Sequence, residues 1–132
     1  MERDVVIKEW FMNIIEKIKT FEDAMAATGR TEMPDFSTFP AEMRKHFEAL
    51  FKMVVIVEAL NEGWKPNWDD GSERKFYPWF WMSPGSFAFS VSYSVHEIAY
   101  AGSGSRLKLK SRELAEYCAT QFTDIWKDIQ LG

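Results

Sequence analysis

The residues of this chain with the strongest claim to an interaction are aromatic and cationic, and they are regularly spaced. Tyr77, Trp79 and Trp81 fall two apart, so in an extended strand their rings emerge on one face while Phe76, Phe80 and Met82 turn the other way, toward a core. Arg106, Lys108 and Lys110 alternate in the same manner and would give a second strand a row of cations; Arg74 and Lys75 open the aromatic strand. Rings that stack on bases beside cations that follow phosphates are the means of holding single-stranded nucleic acid. Aromatic-rich patches equally make protein interfaces. The same spacing is also met if Trp79 and Trp81 are core residues and the cations merely solvate the outer face.

Charge helps to choose between partners. Residues 64–112 carry 7 basic and 4 acidic side chains, against 8 and 12 in residues 1–63 and 1 and 4 in residues 113–132, so a positive middle sits inside a chain of net charge −4. Overall acidity weakens sequence-independent affinity for nucleic acid but leaves a protein partner unaffected. The expected function is therefore nonenzymatic binding of a protein through an aromatic and basic sheet face, with single-stranded nucleic acid as the alternative.

Catalytic constellations are harder to assemble. His46 and His96 lie on different elements, and although Glu97 adjoins His96, neighbouring strand residues point to opposite faces. Asn67, Asp69, Asp70 and Glu73 offer oxygens around Gly71, but their spacing does not match a calcium loop, and a solvated turn is expected. Gly102 and Gly104 come with no phosphate-binding lysine or dinucleotide fingerprint and read as a hairpin turn. Cys118 falls on an apolar helical stripe, where a thiol behaves as a small hydrophobe. Serines 83, 86, 90, 92 and 94 lack a nucleophile-elbow sequence. No catalytic residue, metal ligand or cofactor is assigned.

The elements that must position the aromatic face follow from periodicity. Ile7, Phe11, Ile14, Ile18, Phe21 and Met25 share one helical face, with a break at Thr20, where Thr20 and Asp23 form a capping box, and a stop at Gly29. Core packing explains this face better than a coiled-coil seam, since it spans barely three heptads. Phe36 and Phe39 anchor a loop; Pro40 then opens a helix whose Met43, Phe47, Leu50, Val54, Val57 and Leu60 repeat at helical spacing until Asn61 and Gly63. Met53, Val55 and Ile56 make it apolar on its other sides too, the expected spine of the core.

Trp64 and Trp68 should anchor the polar turn that follows, and the period then becomes two. Residues 76–82 and 87–95 form a hairpin about Ser83, Pro84 and Gly85, and a third strand is expected at 105–110 with Leu107 and Leu109 inward. Ser111 caps a closing helix with the stripe Leu114, Cys118, Phe122, Ile125 and Ile129. The predicted fold is α+β in one domain over residues 1–132: N-terminal helices, an antiparallel meander of three to four strands, and a C-terminal helix on the sheet. At 46% hydrophobic and 27% charged residues the composition is that of a folded chain, and its 16% aromatics leave rings for both core and surface. With one cysteine, no basic segment leading into an unbroken apolar run and no membrane span, the expected compartment is the cytoplasm.

Four local strings add context: Ile18 to Ala24 (IKTFEDA), Ala59 to Trp64 (ALNEGW), Tyr77 to Phe80 (YPWF), and the pair Gly104 to Leu107 (GSRL) and Ser111 to Tyr117 (SRELAEY). Together they resemble a family of small uncharacterised proteins encoded by phages and integrated mobile elements of anaerobic gut bacteria, over most of residues 18–128. The resemblance implies no activity. It implies a setting, the bacterial host cell, in which an accessory, antidefence or virion-associated role is expected rather than housekeeping metabolism.

Overall fold

The protein is described by a computed structural model covering residues 2–95 and 105–132. Among the described residues, five helices and one two-stranded antiparallel sheet make it an α+β protein: α1 (Glu2–Lys17), α2 (Phe21–Ala27), α3 (Ala41–Asn61), β1 (Lys75–Trp81), β2 (Ala88–Val95), α4 (Arg112–Gln121) and α5 (Thr123–Leu131).

The expected break at Thr20 is a capping box. Thr20 Oγ1 accepts from the Asp23 N–H at 3.0 Å, and the Asp23 carboxylate accepts from the N–H groups of Thr20 at 3.1 Å and Lys19 at 3.0 Å. These donors, that of Lys19 foremost, hold the Asp23 carboxyl below its usual range. The far end of α1 meets α4, where the Tyr117 hydroxyl lies on the carbonyls of Ile18 (2.5 Å) and Ile15 (3.1 Å) and the Gln121 amide donates to the Lys19 carbonyl (2.9 Å). Carbonyls at a helix end have no partner within the helix, so these contacts dock α1 as well as satisfy it.

Helix α3 is the spine, and the expected line is fully buried only toward its end, at Val57 and Leu60. Ala49, Met53, Ile56, Val57 and Leu60 are enclosed, whereas Met43 is 46% exposed and Phe47 stands at the surface against Phe39 (5.1 Å between ring centres). An element apolar on nearly every side can be rotated without changing its pattern, so periodicity alone could not select the inward line. Phe36 anchors its loop as expected, 6.3 Å from Phe51. The helix stops with Glu62 and Gly63 both left-handed, at φ of 48° and 84°. Glycine tolerates that conformation without strain.

The hairpin has the expected strands. Lys75 pairs with Val95, Tyr77 with Tyr93 and Trp79 with Val91; Phe80 then pairs with Phe89, which leaves Ser90 as a bulge. Phe80 turns inward, stacks on Phe87 at 4.9 Å and meets Trp126 of α5 at 5.1 Å. Helix α4 packs on both strands, and α3 packs against α2 and α5.

Two expectations are corrected. Residues 105–110 do not form a third strand: Ser105–Leu107 is a single 3₁₀ turn, and only Leu109 pairs with β1, exchanging two backbone hydrogen bonds with Phe76 (2.8 and 2.9 Å). The closing helix is two helices. Thr123 Oγ1 bonds the carbonyls of Ala119 (2.8 Å) and Thr120 (2.9 Å), and Phe122 leaves helical geometry at ψ 35°. Threonine hydroxyls that bond back to the preceding turn bend a helix, and here the bend swings Trp126 into the core at 3% exposure. The readings at His96, Glu97, Gly102 and Gly104 lie outside the described residues.

Candidate functional site

The odd-numbered face of β1 runs from buried to exposed along its length. Lys75 is fully buried, Tyr77 is half-buried, and Trp79 and Trp81 are 53% and 63% exposed. The hairpin thus roots in the body at its open end and projects two indoles at its tip, where Met82, expected to face the core, is 43% exposed beside them. A run of large apolar side chains left in water marks a contact surface more often than a scattered single residue does. The pattern that would have placed Trp79 and Trp81 in the core is not what the chain adopts.

The cations do not form the expected row. Lys75 Nζ donates to the Asp70 carbonyl at 3.0 Å, lies 3.5 Å from the Glu73 carboxylate and sits over the Trp68 ring at 5.1 Å, so it fastens the 67–73 turn to the sheet. Lys110 is half-buried over the Trp10 ring at 3.9 Å. Lys108 is buried, with its ammonium 4.2 Å above the Tyr77 ring, which therefore offers no open stacking face there. Burial pushes the Lys108 ammonium below the usual lysine range. Arg74 and Arg106 are exposed, Arg74 at the root of β1 and Arg106 on the 3₁₀ turn. Without a strand at 105–110 the alternation that aligned Arg106, Lys108 and Lys110 has no geometric meaning. Of the eight residues singled out from sequence, Trp79 and Trp81 form one surface, while Arg106 and Lys108 meet in a separate cleft.

Asn61 is the residue that sequence reasoning missed. Its side chain is buried, donates to the Lys108 carbonyl at 2.9 Å and accepts from the Lys110 N–H at 3.1 Å, which pins the 108–110 segment to the end of α3. No local signal distinguished it from a helix-ending asparagine.

His46, Asp70 and Glu73, weighed for catalysis, are occupied structurally. His46 Nδ1–H donates to the Ile129 carbonyl at 3.0 Å; a carbonyl can only accept, which fixes the tautomer. The Asp70 carboxylate accepts from the Ser72 hydroxyl (2.6 Å) and N–H (2.9 Å), and Glu73 accepts from the Asn67 N–H (2.7 Å), so the turn's oxygens bind the turn itself. Among the described residues no three His, Cys, Asp or Glu converge as metal ligands.

Cys118 is fully enclosed beside Met53 (3.6 Å between sulfurs), and burial pushes its thiol up to about 12. A disulfide reagent at pH 8 is expected to leave it unmodified in the folded protein and to titrate one thiol after denaturation; rapid modification of the native chain would show that α4 opens readily. In the unfolded chain the thiol loses its proton near 9, so its contribution to stability falls as pH rises from about 9 toward about 12. A Cys118→Ala variant should lose stability less steeply over that window.

Fold and site define an α+β protein with a tryptophan-tipped hairpin rooted by buried lysines. No family model, no curated protein and no solved structure matches the chain. Among the described residues no helix is long and apolar enough to cross a membrane.

Proposed function

We propose that this chain is a nonenzymatic accessory protein of a phage or mobile element, acting in the bacterial host cell by holding a protein partner against the hairpin tip. The observation that carries the reading is the pair of indoles on one strand face, 53% and 63% exposed on a hairpin whose opposite face is held at the same end by Phe80, Phe87 and Trp126. Tryptophan is among the residues that dominate binding energy at protein interfaces, and a rigid platform loses little entropy when it docks. The four sequence strings support the phage setting. The structural employment of His46 and Cys118 favours binding over catalysis. Single-stranded nucleic acid is the weaker reading, since Lys75 and Lys110 are spent on internal contacts and the chain is acidic.

Capture on the immobilised chain from phage-infected cells, with mass spectrometry of the retained proteins, supplies a candidate partner for titration in purified form. The double variant Trp79→Ala, Trp81→Ala is expected to bind that partner at least ~100-fold more weakly, two interface tryptophans being worth about 2 kcal/mol or more each. Equal affinity of variant and wild type would reject the hairpin as the docking surface. Binding of short oligonucleotides that weakens steeply with salt and depends on both indoles would move the function to nucleic acid.

A further inference from the structure

A cleft of about 520 Å³ opens between the end of α3, the loop at residues 63–68 and the 3₁₀ turn, with neither indole of the hairpin tip in its lining. Four cations from three stretches of chain line it: Arg30, Lys65, Arg106 and Lys108. The one carboxylate in the lining, Glu58, is already taken by Arg30 at 2.7 Å. Among the described residues no carboxylate pairs with Lys65, Arg106 or Lys108, and Lys108 is only 5% exposed. The Lys108 ammonium lies over the Tyr77 ring at 4.2 Å and has no carboxylate among the described residues to neutralise it, and Asn61 fixes its backbone at the edge of the cleft. The rest of the lining is mainly apolar and includes Trp64, Pro66 and Trp68 beside Val54 and Val57 of α3.

We propose that this cleft binds a small molecule combining a flat ring with a phosphate, a nucleoside phosphate, with the ring against Trp64 or Trp68 and the phosphate between Arg106, Lys65 and Lys108. An inorganic anion alone would leave the apolar walls unused, and an uncharged ring would leave the cations unanswered. The volume falls within the range of ligand clefts that enclose most of a small molecule. A long polyanion is disfavoured by the net charge of −4. The inference stands apart from the hairpin reading, since it involves neither Trp79 nor Trp81.

Isothermal titration of the full chain with AMP and UMP, adenosine, inorganic phosphate and a six-nucleotide oligothymidylate is the test. At least one nucleoside monophosphate is expected to bind tenfold or more tighter than both adenosine and inorganic phosphate. Arg106→Glu, at an exposed position that should not disturb folding, is expected to weaken it tenfold or more, and Lys108→Met to do so further. Trp79→Ala with Trp81→Ala should leave it unchanged. Absence of nucleotide binding, nucleotide affinity no greater than that of phosphate, or indifference to Arg106→Glu would overturn the assignment, as would oligonucleotide binding lost on removing the hairpin indoles.

Discussion

Replacing Trp126 with alanine is expected to cost about 3–5 kcal/mol of folding stability, the range for removing a large aromatic side chain from a core. The indole is 3% exposed, 5.1 Å from Phe80, which itself stacks on Phe87 at 4.9 Å. Truncation leaves a cavity where α5 meets the inner face of the hairpin near its turn, and rigid neighbours on both sides limit collapse into it. Small domains are stable by only about 5–15 kcal/mol, so a large share of the folded population is at stake. The urea midpoint should fall with little change in slope. Trp81→Ala is the control: at 63% exposure the same chemical deletion should shift stability by less than about 0.5 kcal/mol. Comparable losses in the two variants would mean that the hairpin tip is packed and would remove it as a docking surface.

Asn61→Leu is the second large effect expected, at about 2–4 kcal/mol. Leucine is close in volume but offers neither the donor to the Lys108 carbonyl nor the acceptor for the Lys110 N–H, so two backbone groups at a buried site lose their partner together. Asn61→Asp separates the two bonds, because a carboxylate still accepts from Lys110 but cannot donate to Lys108. Hydrogen exchange at residues 106–110 should accelerate in Asn61→Leu well beyond that in the rest of α3. A leucine variant with wild-type stability and unchanged exchange in that segment would show that Leu109, bridged to Phe76, holds the segment unaided.

Local chemistry was legible wherever neighbours in sequence are neighbours in space. The Thr20–Asp23 box, the Ser111 cap bonded to the Leu114 N–H and the hairpin turn at Ser83–Ser86 each depend on residues two to four apart, and each is present. The strand period likewise placed Tyr77, Trp79 and Trp81 on one face. What the spacing could not convey was depth along that face, because enclosure at Lys75 and exposure at Trp81 depend on where the body of the protein ends. The break at Phe122 had a local cause in Thr120 and Thr123, yet an apolar stripe running across both helices concealed it.

The cations mark the limit most clearly. Lys75, Lys108 and Lys110 read as solvated charge because lysine in an alternating run usually is, and each instead lies over an aromatic ring, those of Trp68, Tyr77 and Trp10. Sequence by itself determined the first three helices, the Thr20 and Ser111 caps, the hairpin and the common face of its aromatic side chains, since those follow from backbone sterics and short-range hydrogen bonds. Tertiary structure alone decided which rings reach water, which lysines are buried and that Asn61, Arg106 and Lys108 border one cleft. Those outcomes turn on contacts between residues tens of positions apart, whose energies no local pattern encodes.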